Sequence, residues 1–170
     1  MNILITGGTG LIGTRLCQQL HQLGHELTVL SRKPETVPTF CKAIRSLDEW
    51  QPTTHFDAVI NLAGESIVDK AWTEARKKVL WDSRVGVTQS LVRCIEAADE
   101  KPRVFISGSA IGYYGNTGDK TLDEGAHVGK DFGAQLCDEW EKAALASSVR
   151  VCVLRTGLVL APSGGFLKKM

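Results

Sequence analysis

The segment Thr6-Gly7-Gly8-Thr9-Gly10-Leu11-Ile12-Gly13 constrains this chain more than any other. It follows Asn2 to Thr6, a short apolar run that reads as a buried strand. It precedes Leu11, Ile12, Leu16, Leu20 and Leu23, which recur at helical spacing until Gly24 closes the helix. A G-x-x-G-x-x-G turn in that setting is built for phosphate. Gly7 permits the tight turn, Gly10 lets backbone approach a pyrophosphate, and Gly13 lets the helix pack closely on the sheet. The helix N-terminus offers unpaired N–H groups and a partial positive charge. A glycine-rich turn without a ligand is the alternative, and the strand–turn–helix context argues against it. Gly7, Thr9, Gly10, Leu11, Ile12 and Gly13 are therefore the first candidate binding residues.

The rest of the chain repeats the alternation. His25 to Leu30 reads as a second strand, and residues 32–56 as a loop-rich crossover with a weak strand near Ala43 to Arg45. Asp57 to Leu62 is another buried strand, ended by Ala63-Gly64. A single helix is predicted over Thr73 to Ala98, with Val79, Val87, Leu91 and Ile95 on one stripe. Arg103 to Ile106 and Val151 to Leu154 read as strands, separated by a loop from Gly108 to Lys130 and a helix from Phe132 to Ala146. Buried strands alternating with helices predict an α/β fold, a Rossmann-type doubly wound parallel sheet with helices on both faces. At 170 residues, one domain is expected. Pro162 to Met170 opens a new element without closing it, so the expectation is that a C-terminal remainder is missing.

Composition removes several function classes. Twenty Lys+Arg against 19 Asp+Glu give a net charge of +1, which makes no electrostatic case for nucleic acid or an acidic membrane surface. No apolar run approaches the ~20 residues that span a bilayer. The five cysteines are odd in number and lack C-x-x-C spacing, which argues against a disulfide framework or zinc site and for a reducing, cytoplasmic setting. No carboxylate or histidine spacing suggests a metal.

The second predicted strand ends at Leu30 and is followed by Ser31-Arg32-Lys33. An NAD-selecting site places Asp or Glu there to accept from the ribose hydroxyls. A carboxylate would repel a 2′-phosphate, whereas the planar fork of Arg32 can clamp one. Arg32 and Lys33 are also ordinary solvated loop residues; their position favours NADP(H) over NAD(H) and adds Ser31 and Arg32 to the candidate site.

Gly7 to Gly13, Asn61-Leu-Ala-Gly64 and Ser107-Gly-Ser109 together resemble the short-chain dehydrogenase/reductase superfamily, in its extended, nucleoside-diphosphate-sugar epimerase-like branch. Asn61 to Ile67, Trp72 to Lys77, Asp82 to Val85, Gly112 to Gly118 and Arg155 to Val159 resemble an atypical subgroup of that branch, epimerase-family proteins of unknown substrate. The resemblance covers the whole chain. It implies that Leu62, Ala63 and Gly64 support the adenosine side of the cleft and that Arg155-Thr-Gly157 follows a strand lining the nicotinamide pocket. Members nearer 300 residues imply that residues 1–170 form the NAD(P)-binding domain, with a substrate-capping C-terminal region absent.

Catalysis does not carry over as cleanly. The superfamily uses Tyr-x-x-x-Lys on one helix, where Lys lowers the Tyr pKa and Tyr transfers the proton. The matching stretch here reads Phe132-Gly-Ala-Gln-Leu136, which holds neither group. Ser109 matches the serine that polarises the substrate oxygen. Tyr113 and Tyr114 are substitute proton donors, or aromatic packing for their loop. With no Lys at i+4 of either, the assisting cation is sought in Lys130 or Arg84. Glu65, Asp123 and Glu124 are carboxylates that could touch substrate or simply face water, and His127 lies in the same cleft-side loop.

Two functions follow. One is an NADP(H)-dependent oxidoreductase or epimerase acting on a small sugar-like or carbonyl metabolite; the other is a non-catalytic NADP(H)-sensing regulator or scaffold. The long helix over residues 73–98 is the expected face of a homodimer, since related folds pair there.

Overall fold

The strand expected before the glycine turn is β1, Asn2–Thr6, and the helix after it is α1, Leu11–Gln22, in a computed structural model that describes residues 1–161, 164 and 165. Gly24 has φ +79°, which ends α1 in the left-handed region where glycine carries no Cβ penalty. Next come β2 (Glu26–Leu30), β3 (Lys42–Ile44) and β4 (Ala58–Asn61). Helices α2 (Glu74–Trp81) and α3 (Val87–Ala97) follow, then β5 (Val104–Ala110), α4 (Phe132–Leu145) and β6 (Val151–Thr156). A short antiparallel pair, Leu160–Ala161 with Gly164–Gly165, lies beyond β6. The expectation about Pro162 to Met170 otherwise falls outside the described residues.

The main sheet is parallel throughout, in the order β3-β2-β1-β4-β5-β6. That is the doubly wound Rossmann arrangement, whose order reverses between β1 and β4 and opens a crevice at the strand C-termini. Side-chain alternation divides the core. Ile3, Ile5, Val29, Ala58 and Ile60 pack on Leu16, Cys17 and Leu20 of α1. Leu4, Val59 and Phe105 point the other way, onto Leu91 and Ile95 of α3 and Ala144 of α4. Helices on both faces are thus dictated by the period of two in the strands.

Four details depart from expectation. The α1 stripe is carried by Leu16, Cys17 and Leu20, while Leu11, Ile12 and Leu23 are exposed. Val79 is exposed as well; Leu80 is buried instead, in a cluster with Leu136 and Trp140 that is separate from the one holding Leu91. The helix over 73–98 is helical throughout but not uniform, because a π-turn at Asp82–Gly86 joins α2 to α3. β5 also runs to Ala110, further than the apolar run foretold, because Ser107 and Ser109 find buried polar partners.

Candidate functional site

The glycine turn is shaped by contacts only glycine allows. Gly7 sits at φ +69°, and a Cβ there would lie 2.4 Å from the Leu62 carbonyl oxygen. A Cβ on Gly13 would lie 2.1 Å from the Gly7 carbonyl oxygen, so α1 rests directly on the turn. Gly10 donates its N–H to the Gly7 carbonyl at 3.0 Å and forms the N-cap of α1. No side chain caps that end, and no acidic residue occupies the first turn. An uncapped helix N-terminus beside a glycine turn fits a pyrophosphate, and here the residues present match the group.

Asn61 holds this end of the sheet together. It is fully buried; its Oδ1 accepts from the Thr6 hydroxyl at 2.6 Å and its Nδ2 donates to Thr88 Oγ1 at 2.7 Å and toward Ser107 Oγ at 3.5 Å. One amide thereby ties β1, β4, β5 and α3. The Ala63 N–H donates to Thr6 Oγ1 at 3.2 Å, which carries the constraint into the Leu62-Ala63-Gly64 turn.

A cleft of about 1350 Å³ opens over these elements and is lined by Gly7, Thr9, Gly10, Ser31, Arg32, Leu62, Ala63, Gly64 and Glu65. Gly13, Leu11 and Ile12 do not line it: Gly13 is buried against the turn, and the other two face outward at the start of α1. The Ser31 hydroxyl is engaged within its own turn, donating to the Lys33 carbonyl and accepting from the Lys33 N–H, both at 3.1 Å. Arg32 is 88% exposed and donates to Glu65 Oε1 at 2.7 Å. That hydrogen bond from Arg32 holds the Glu65 carboxyl below the usual carboxylate range. Behind it, Arg76 Nη1 lies 3.7 Å from Glu65 Oε2, and Arg76 Nη2 donates to the Ser66 carbonyl. Glu65 is therefore an ion-paired group at the cleft mouth rather than a freely solvated one.

The π-turn supports the same loop. Arg84 donates to the Glu65 carbonyl at 2.9 Å, Ser83 Oγ accepts from the Glu65 N–H at 3.1 Å, and the Arg84 guanidinium lies over the Trp140 ring, 5.5 Å from its centroid. Arg84 thus braces the loop after β4 and is not the cation beside the tyrosines.

That cation is Arg155, at the end of β6. Its Nη1 donates to the Tyr114 hydroxyl at 3.0 Å and to the Glu124 carbonyl at 3.1 Å, and its guanidinium lies 3.6 Å from the Tyr113 ring centroid. Nε and Nη2 form a two-pronged pair with Glu141 Oε1 and Oε2, both at 2.8 Å. Glu141 also accepts the Ser109 hydroxyl proton at 2.6 Å. The Glu141 hydrogen bonds push the Arg155 pKa up, so its charge is fixed. Ser109 is 3% exposed and opposite Arg155 in the sheet register. Its hydroxyl donates to Glu141, which links Ser109 through Arg155 to Tyr114.

Phe132 and Leu136 lie at the positions expected for Tyr and Lys. Leu136 is buried with Leu80, Val85 and Trp140, and Phe132 meets Trp72 edge-on at 5.4 Å. This stripe of α4 packs on α2 and the π-turn. His127, Lys130 and Asp123 are exposed.

The NAD dependent epimerase/dehydratase family matches residues 3–169. The chain belongs to that family. Among curated members of the epimerase family, it is 38% identical over 173 residues to epimerase family protein Mb2239 of Mycobacterium bovis, covering 99% of this chain and 57% of the relative. It is 35% identical over 175 residues to human epimerase family protein SDR39U1, covering all of this chain and 58% of the human protein. The chain thus spans somewhat over half the length of the curated relatives it matches. A crystal structure of human SDR39U1 (isoform 2) with NADPH superimposes with a TM-score of 0.87 at 35% identity, over 99% of this chain and 58% of that one. A nucleoside-diphosphate sugar epimerase from Corynebacterium glutamicum superimposes with a TM-score of 0.79 at 32% identity. Like these epimerase-family structures, the chain is a Rossmann-type, NAD(P)-binding fold. Among its described residues no helix is long and apolar enough to cross a membrane.

Proposed function

We propose that this chain forms the NADP(H)-binding part of an oxidoreductase or epimerase that acts on a small sugar-like or carbonyl metabolite. The observation that carries this reading is the joining, in one cleft, of the glycine turn and of Arg32 at the end of β2, where an NAD-selecting fold holds a carboxylate. The NADPH in the human relative's structure supports the choice of cofactor. In Arg32→Glu, NADPH binding falls at least tenfold while NADH binding changes little, read by titrating nicotinamide fluorescence; equal loss of both overturns the NADP assignment.

When bound, the nicotinamide supplies or accepts the hydride. Tyr114 is the group this chain offers for the accompanying proton. Its oxygen accepts from Arg155, which leaves its own proton free to point elsewhere, and the adjacent guanidinium offsets the negative charge that develops when that proton leaves. Tyr113 gives its ring face to the same cation. With a metabolite fraction that drives NADPH oxidation by the full-length protein, Tyr114→Phe lowers turnover by about 10²–10⁴ and leaves NADPH affinity unchanged. Unchanged turnover removes Tyr114 from the chemistry.

A second reading, an NADP(H) sensor without catalysis, is favoured by the packing of Phe132 and Leu136, which replaces the usual Tyr-Lys pair with core contacts. Tight NADPH binding with neither NADPH oxidation nor an epimerised product in any metabolite fraction selects it. The cytoplasmic setting suggested by the cysteine count belongs to both readings.

A further inference from the structure

In the sheet, β1 lies between β2 and β4, so any contact between the loops that follow β2 and β4 passes over the glycine turn at the end of β1. The Arg32–Glu65 ion pair is such a contact, and both residues line the dinucleotide cleft. Arg32 is anchored only at its far end, being 88% exposed, whereas Glu65 is 29% exposed and also faces Arg76, itself 11% exposed.

We infer that Glu65 is a cofactor-selecting residue: its carboxylate holds Arg32 across the cleft and is exchanged for the 2′-phosphate of the incoming dinucleotide. The inference rests on the NADP(H) reading above. The exchange is feasible because Arg76 stays beside Glu65 when Arg32 leaves, so the carboxylate is not stranded without a cation. It discriminates because a 2′-phosphate can replace a carboxylate in the guanidinium fork, while the neutral 2′-hydroxyl of NAD(H) cannot. Glu65 thus sets a cost on NADP(H) alone, and its oxygens remain available to accept from a ribose hydroxyl of NAD(H).

The test is a double-mutant cycle on the full-length protein, with NADPH and NADH each titrated by fluorescence against wild type, Glu65→Gln, Arg32→Gln and the double variant. Glu65→Gln is expected to tighten NADPH about fivefold, the scale of one exposed ion pair, and to leave NADH unchanged or weaker. In the Arg32→Gln background the same change should have no effect on NADPH. No tightening by Glu65→Gln, or equal tightening of NADH, overturns the inference. So does a fivefold gain that persists without Arg32, which would show plain repulsion rather than exchange. Equal weakening of both cofactors by Arg32→Gln alone overturns the NADP(H) reading and this inference with it. Should loss of the Arg76 contact unfold Glu65→Gln, Glu65→Asp, one methylene shorter, withdraws the carboxylate from Arg32 and must shift NADPH in the same direction.

Discussion

Replacing Gly13 by alanine is expected to weaken NADPH binding at least a hundredfold and to destabilise the fold by about 1–3 kcal/mol. The new methyl group would stand 2.1 Å from the Gly7 carbonyl oxygen and 2.7 Å from the Gly8 Cα, both backbone atoms that no rotamer change can move aside. Relief requires α1 to slide away from the turn, which takes the helix N-terminus off the phosphate position. Isothermal calorimetry with NADPH and thermal unfolding read the two effects. Gly86→Ala is the stability control, because a Cβ there meets nothing within 4 Å and alanine is the better helix former. If Gly13→Ala binds NADPH like wild type, the close packing of α1 on the turn is not what presents the cofactor's phosphates.

Arg155→Ala should produce the largest loss of stability, about 3–5 kcal/mol, which for a domain of this size lowers Tm by roughly 10 °C or more. The change leaves the Glu141 carboxylate, 8% exposed, with the Ser109 hydroxyl as its remaining hydrogen-bond partner among the described residues, and removes the cation from the Tyr113 ring and the Tyr114 hydroxyl. Replacing both charges, as Glu141→Leu with Arg155→Met, should recover much of the loss, since the cost lies in one stranded charge more than in the missing attraction. A single variant as stable as wild type would show that water reaches Glu141 freely. The rescued double variant also separates fold from chemistry: it keeps Tyr114 but not its guanidinium, and turnover should stay depressed while Tm returns.

These two sites differ in how far they could be read in advance. The glycine turn is local; its strand, glycines and helix lie within Asn2 to Gln22, and short-range sterics dictate each residue. The Arg155 cluster joins residues 14 and 41 positions apart, so no window contains it. A signal was nevertheless present. Ala134, Cys137, Glu141 and Ala144 recur at spacings of three and four along one stripe of α4, and all are buried. A carboxylate on an apolar stripe needs a buried cation, and Arg155 at a strand end was available to supply it. Strand alternation puts Ser109 on the same face as Ser107, where Ser107 meets Asn61 and Ser109 meets Glu141, contacts that family likeness alone does not reveal. The Arg32–Glu65 contact was illegible for another reason: it depends on strand order, and only once β1 is known to lie between β2 and β4 do those two loops become neighbours across the cleft.

The π-turn at Asp82–Gly86 carries a consequence for how variants of this fold tolerate length change. Such a turn holds one residue more than an α-turn, so it acts as a phase adjuster between two helices sharing one axis. Deleting a single residue there would restore a regular helix and at the same time swing everything upstream by about 100°. Arg76 would leave Glu65, and Leu80 would leave the cluster with Leu136 and Trp140. A helix is ordinarily forgiving of surface substitutions, but here its residue count is a quantity the cleft depends on: one position too few, and the helix is intact while its two ends face different parts of the molecule.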